Sequence, residues 1–251
     1  MSAEAQARVD LTAALRSASR LGLGEGVCNH FSMEIPGPPG RFLVNPQGLH
    51  WSEVRPADLV VLDAHGRKIS GNYDVEPTAF FIHAALHRGK PGARCVLHTH
   101  MPYAAALTVV QGGRLEWAHQ NSLRFHGRVA YDETYNGLAL DEAEGGRMCA
   151  MLGNADVIFL ANHGVIVTGR DIELAFDDLY YLERACMVQV LGAATGRPLR
   201  IVPEALAAFT ARQMAQESGQ ARLHFAALKR LLDRDDPGWR GSAVSDKRPE
   251  G

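Results

Sequence analysis

Apolar residues recur at helical spacing from Ala3 to Leu21, with Val9, Leu11 and Leu15 set among alanines, and this predicts an opening helix. Gly22-Leu23-Gly24-Glu25-Gly26 stops it and makes a flexible loop. Short strand-like runs then alternate with breakers: Asn29 to Ile35, Arg41 to Val44 and Leu59 to Asp63. Pro36 to Gly40, Asn45 to Gly48 and Ala64 to Arg67 supply the turns, so this stretch reads as a meander. Thr78 to Arg88 returns to helical spacing, with Phe81, Ala84, Ala85 and Leu86 as core candidates, and Pro91-Gly92 ends it. Ala93 to Leu97 is a strand running into His98-Thr99-His100. Helices follow at Pro102 to Val110 and at Asp141 to Leu152, the second acidic in its first turn as the helix dipole favours. A strand pair, Asp156 to Leu160 and Val165 to Val167, leads to a long helix from Asp171 to Leu191 and to one or two more between Pro203 and Leu232. The order of elements predicts an α/β fold with a central, mostly antiparallel sheet flanked by helices, one domain over residues 1–232. The polar residues 233–251 are predicted to be a disordered tail.

Composition narrows the function classes. The chain of 251 residues is 46% hydrophobic and 22% charged, with a net charge of -2, as in soluble globular proteins. That charge offers no basic footprint for nucleic acid. No apolar run reaches the ~20 residues of a membrane span. The start, Met1 to Gln6, lacks a basic segment and an apolar stretch, so a cytoplasmic protein is expected. Cys28, Cys95, Cys149 and Cys186 are dispersed without a C-x-x-C pair and read as reduced thiols. Cys28, in the glycine-rich loop, is the one weighed against a catalytic role.

The candidate chemistry gathers on histidines. His98 and His100, at i and i+2 on an extended strand, point to one side and can grip one metal ion. His163 sits in the polar break Asn162-His163-Gly164 between two strands. Three histidines on strand ends make an open site, with a position left for water or substrate. Among 11 histidines an H-x-H pair also arises by chance, so spacing alone leaves both readings standing.

Five segments in order resemble the class II aldolase/adducin head-domain family. They are Gly26-Val27-Cys28-Asn29-His30-Phe31-Ser32, Leu43-Val44-Asn45-Pro46-Gln47-Gly48-Leu49, Leu97-His98-Thr99-His100, Asn162-His163-Gly164-Val165, and Ala175-Phe176 through Leu182-Glu183. The resemblance runs from about Ala3 to about Arg212. It implies a three-layer α/β/α fold and a homotetramer with active sites at subunit interfaces. It implies a divalent metal, zinc first and manganese or iron otherwise, on His98, His100 and His163. Members of the family include sugar-phosphate aldolases and epimerases, dehydratases, aromatic-acid decarboxylases, iron oxygenases and the cytoskeletal adducins.

The chain departs from the aldolases where they hold phosphate and move protons. Counting back from the helix histidine His83, Pro77-Thr78-Ala79 stands where those enzymes resemble one another in Ser-Ser-Glu. Ala79 cannot move a proton, and Pro77 has neither hydroxyl nor N–H. Asn45-Pro46-Gln47-Gly48 replaces their Thr-Pro-Thr-Gly loop. Asn29, His30, Gln47, Gly48 and Thr78 are therefore expected to hold a small carboxylate substrate rather than a phosphate. Glu76 is the candidate replacement acid/base, weighed against a solvated loop acid. Tyr131 is expected to face substrate, weighed against core packing, and Glu183 to orient a metal histidine, weighed against a Glu183-Arg184 pair on a solvated helix face. The expected function is a metal-dependent carbon–carbon lyase, a decarboxylase or aldolase. Its expected substrate is a small non-phosphorylated hydroxy or keto acid or a hydroxyaromatic carboxylate, with the metal stabilising an enolate-like charge. Decarboxylation needs no base for the bond to break, which suits Ala79. A sugar-phosphate aldolase or epimerase, a non-haem iron oxygenase and an adducin-like module without chemistry are the alternatives.

Overall fold

The computed structural model describes residues 1–241 except residues 38 and 218. Its centre is an eight-stranded sheet. The strands are β1 (His30–Glu34), β2 (Arg41–Val44), β3 (Val60–Asp63), β4 (Lys68–Ser70), β5 (Cys95–Thr99), β6 (Val129–Asp132), β7 (Val157–Leu160) and β8 (Gly164–Gly169). They lie in the order β4-β3-β2-β1-β5-β8-β7-β6. Every neighbouring pair is antiparallel except β6 and β7. The helices are α1 (Ala3–Arg20), α2 (Pro77–Gly89), α3 (Pro102–Thr108), α4 (Gln120–Leu123), α5 (Glu142–Leu152), α6 (Ile172–Ala193), α7 (Glu204–Gln216) and α8 (Gly219–Asp235).

Alternation along the strands sorts the helices into two layers. Phe31, Leu43, Leu97 and Val165 face one side, where Leu11 and Leu15 of α1, Ala104 of α3, Phe176 and Leu179 of α6 and Phe225 of α8 bury them. Val96, Ile158 and Ile166 face the other side, against Ile82 and Leu86 of α2 and Met148 and Leu152 of α5. The three-layer α/β/α arrangement expected from the sequence is the one observed. Asp141 and Asp171 cap α5 and α6 by accepting from the Glu144 and Leu174 N–H groups.

The structure departs from the sequence reading at two short elements and at the C-terminal end. Strand β6 is four residues, three of them half-buried, so it carries no alternation to read. It joins as the parallel edge partner of β7. Helix α4 is a single turn whose cap is His119, a residue type that rarely announces a helix start. The predicted tail is ordered where it is described. Helix α8 continues to Asp235, and Trp239 is 1% exposed, its indole N–H donating to Asp233 Oδ1 at 2.8 Å. Trp239 packs that run against the core. Residues 242–251 lie outside the described residues. Among the described residues no helix is long and apolar enough to cross a membrane.

Two adjacent glycines on α5 make opposite predictions. A Cβ on Gly145 would stand 2.5 Å from the Phe81 carbonyl oxygen on α2, whereas one on Gly146 meets nothing within 4 Å. Gly145→Ala is expected to prise the two helices apart and cost about 1–3 kcal/mol. Gly146→Ala is expected to be neutral or to gain up to about 1 kcal/mol from helix propensity. Urea unfolding of the two variants compares them, and equal midpoints would refute the close α2/α5 approach.

Candidate metal centre

Three strands at the middle of the sheet deliver the histidines to one end. Antiparallel pairing sets His30, at the start of β1, opposite His98 near the end of β5. Strand β8 returns along the other side of β5, so the turn before it ends beside the same point. That turn is Ala161-Asn162-His163. Asn162 has a φ of 55°, the left-handed region that asparagine tolerates, and its N–H donates to the Thr108 carbonyl at 3.0 Å. At Gly164 a Cβ would fall 2.5 Å from the Thr99 carbonyl oxygen and 2.8 Å from the His100 ring. Only glycine lets the strand press against the end of β5, which accounts for the Asn-His-Gly order.

The ring nitrogens fit a cation. His98 Nδ1 lies 3.0 Å from the Val165 carbonyl, which only accepts, so Nδ1 carries the proton and Nε2 is bare. His100 Nδ1 likewise donates to the Glu25 carboxylate at 2.6 Å. The two Nε2 atoms then face each other at 3.2 Å with both protons committed elsewhere. Two lone pairs at that distance repel unless a positive charge stands between them. Two nitrogens bound tetrahedrally to zinc are separated by about 3.4 Å. His163 completes the set, its ring centroid 4.8 Å from those of His98 and His100. One ligand atom from each histidine lies within 4.8 Å of the others. Burial lowers His98 well below the ordinary imidazole value, and His163 to about 4, so both are neutral ligands near pH 7.

The other predicted site residues divide. His30 is brought in: its ring lies 4.8 Å from that of His98. Thr78 and Glu76 reach the far side of His30, with Thr78 Oγ1 at 3.4 Å and Glu76 Oε2 at 3.8 Å from Nε2. Glu76 is the N-cap of α2, accepting from the Ala79 N–H at 3.0 Å and from the Thr78 hydroxyl. Asn29 Oδ1 accepts from the backbone of Glu25 at 2.8 Å and of His100 at 3.3 Å, tying the glycine-rich loop to the ligands. Its buried Nδ2 has no partner within the protein. Gln47 and Gly48 are on an exposed loop. Tyr131 is not brought to the cluster. Its hydroxyl accepts from the Leu115 N–H at 3.1 Å and its ring stacks on Phe159 under the Arg114 guanidinium. It lines a separate hollow of about 370 Å³ whose walls include none of the three histidines. Within the chain its contacts are those of packing, with Leu115, Phe159 and Arg114.

Glu183 acts differently from the role expected of it. Its two oxygens accept from the Tyr103 and Ala104 N–H groups, each at 2.9 Å, at the N-terminus of α3. Burial raises this carboxyl, while those two donors pull it back. It fixes the segment that follows His100 and touches no ligand ring.

Sequence reasoning missed Glu25 and a buried polar chain behind the ligands. His30 Nδ1 lies 2.7 Å from His83 Nε2, His83 Nδ1 meets Ser32 Oγ, Ser32 Oγ lies 2.7 Å from His87 Nε2, and His87 Nδ1 lies 3.0 Å from the Ala93 carbonyl. The readable signal was the i, i+4 pair of His83 and His87 on one face of α2.

These buried rings tie stability to pH. His30 and His83 are held well below the ordinary 6.5 and His87 falls to about 4, all chiefly through burial. Between about 4 and 6.5 the unfolded chain binds more protons than the fold, so stability is full above 6.5 and falls as pH drops through that window. His87 alone is worth roughly 3 kcal/mol. Urea midpoints are expected to be clearly lower at about pH 4.5 than at about pH 7.5, with His87→Gln flattening part of the slope. A slope unchanged by that variant would mean His87 is not buried as a neutral ring.

The chain is similar to known proteins over most of its length. Residues 9–190 match the family model for the Class II Aldolase and Adducin N-terminal domain. A Pseudomonas aeruginosa protein assigned to the class 2 aldolases is 34% identical over 249 residues, covering 95% of this chain and 93% of that one. Decarboxylase NovR of Streptomyces niveus is 30% identical over 226 residues, covering 88% of this chain and 83% of that one. The solved structure of an L-fuculose 1-phosphate aldolase from Glaciozyma antarctica superposes with a TM-score of 0.83 at 27% identity, covering 95% of this chain and 93% of that one. The chain belongs to the class II aldolase and adducin family.

Proposed function

We propose that the protein is a metal-dependent carbon–carbon lyase acting on a small, non-phosphorylated hydroxy or keto acid or a hydroxyaromatic carboxylate. The observation that carries this is the set of imidazoles, His98, His100 and His163, whose bare nitrogens converge. A divalent metal held there, zinc first, supplies Lewis acidity that draws off the charge left when a neighbouring C–C bond breaks.

The residues around the cluster support a carboxylate rather than a phosphate. In the phosphate-binding relatives the first turn of the helix matching α2 helps to hold that group. Here Pro77 brings no N–H, and the Ala79 N–H is already taken by the Glu76 carboxylate. A fixed negative charge at that helix end repels a dianion. Ala79, buried, has no proton to give. Glu76, committed to capping, is not free as a general base, which favours decarboxylation over retro-aldol cleavage. A relative named as a decarboxylase supports the same choice.

We further propose a homotetramer with sites at subunit interfaces. His100 and His163 are only half-buried at the sheet end. A hollow of about 1180 Å³, rimmed by Arg88, Lys90 and Arg212, includes none of the three histidines in its walls. Val109, Val110, Leu138 and Leu140 are exposed apolar side chains that a neighbouring subunit would cover.

Zinc titration of metal-stripped protein tests the centre. One zinc per chain is expected for the natural protein and none for His98→Ala. Glu25→Gln, which loosens His100, is expected to keep the stoichiometry at an affinity lower by about 10- to 100-fold. Release of CO2 or an aldehyde from a panel of hydroxy acids and hydroxyaromatic carboxylates should stop with chelator and return with zinc. Full zinc in His98→Ala, or turnover indifferent to chelator, would sink the proposal.

A further inference from the structure

The buried chain behind the ligands has a direction, and its direction states what the pocket asks of a substrate. The inference rests on the metal-centre reading above. It starts at the Ala93 carbonyl, which can only accept, so the His87 nitrogen 3.0 Å from it carries the proton. Burial holds His87 at about 4, so the ring is neutral and its Nε2 is bare. Ser32 Oγ, 2.7 Å away, must donate to that nitrogen. A hydroxyl has one proton, so Ser32 Oγ accepts from His83 Nδ1. His83 is also buried and neutral, and its bare Nε2 takes the proton of His30 Nδ1 at 2.7 Å. Each step forces the next, and His30, 2% exposed and so held as a neutral ring, then has its lone pair on Nε2.

Beyond that nitrogen stand Thr78 Oγ1 at 3.4 Å and Glu76 Oε2 at 3.8 Å. The Thr78 proton is spent on Glu76. Thr78 and Glu76 are thus paired with each other, and Glu76 also takes the Ala79 N–H, so neither offers a proton to His30 Nε2. Thr78 and Glu76 are half-buried, so the group opens outward on their side, and the His30 ring packs on ligand His98. Buried acceptors left without a donor are costly, and a ligand that brings one is favoured.

We propose that His30 Nε2 is a hydrogen-bond acceptor that selects hydroxy acids, taking the proton of a substrate hydroxyl in a hydrogen bond, and that His83, Ser32, His87 and the Ala93 carbonyl hold it in that tautomer. On this account His30 contacts substrate, while His83, Ser32 and His87 are positioning residues. Keto acids and unsubstituted acids bring no such proton and leave His30 Nε2 unsatisfied.

The test uses zinc-loaded protein and two probes, lactate and propionate, which differ by one hydroxyl. A metal held at the three histidines could also take that hydroxyl in every variant, so the readout is the change in lactate-over-propionate preference on substitution. His30→Phe is expected to lower the preference by roughly five- to tenfold with one zinc per chain retained. Ser32→Ala, which leaves His30 in place, is expected to lower it several-fold. Nitrogen-15 imidazole spectra of the unsubstituted protein should show His30 protonated at Nδ1 and bare at Nε2, and a mixture of tautomers in Ser32→Ala. An unchanged preference in His30→Phe with zinc intact, or a proton on His30 Nε2 in the unsubstituted protein, overturns this inference alone. Failure to hold zinc overturns the metal-centre reading and this inference with it.

Discussion

The pairing register of β1, β5 and β8 is the constraint on which everything else depends. His30 stands opposite His98, and His98 opposite Ile166. Side chains alternate along a strand, so a slip of one residue would turn His98 into the apolar layer and Leu97 out of it. The cost of burying an unpaired imidazole among Leu11, Leu15 and Phe176 enforces the observed register. The two sides of the sheet thus differ in kind. One is mainly apolar, and the other carries a polar seam under α2 where His30, Ser32, His83 and His87 meet.

That seam is an expensive feature unless every member is satisfied. Here it is satisfied inward, one donor to one acceptor, and left incomplete at its outer end. Two buried atoms of residues next in sequence to His30, His98 and His100, Asn29 Nδ2 and Thr99 Oγ1, have no partner among the described residues. Incomplete polar groups around a cluster of converging lone pairs are what a ligand-binding centre looks like from within.

Carboxylates of the chain itself close the helix ends that border the centre. Glu183 takes the first free N–H groups of α3 and so holds the segment after His100. Glu76 does the same for α2 and thereby removes a helix terminus from use as an anion site. The fold is shared with a fuculose-phosphate aldolase, and shared architecture leaves the reaction to be decided by such local features.

The sequence by itself determined the elements with strong periodicity or clear caps. The long helices, the central strands and the three ligand candidates were legible because apolar spacing, Asp141 and Asp171 at helix starts, and the H-x-H and Asn-His-Gly patterns are local signals. Strand β6, with three of its four residues half-buried, and the fold-back of Trp239 were not legible, since each depends on a partner distant in sequence. The roles of the acids were also hidden. Glu25, Glu76 and Glu183 look alike in sequence, yet one meets a ligand ring and two cap helices, and which N–H or imidazole each reaches was settled only when α2, α3 and α6 packed around the sheet. Hydrogen-bond direction was likewise decided by tertiary structure, because the tautomer of a histidine depends on which acceptor the fold places against its other nitrogen.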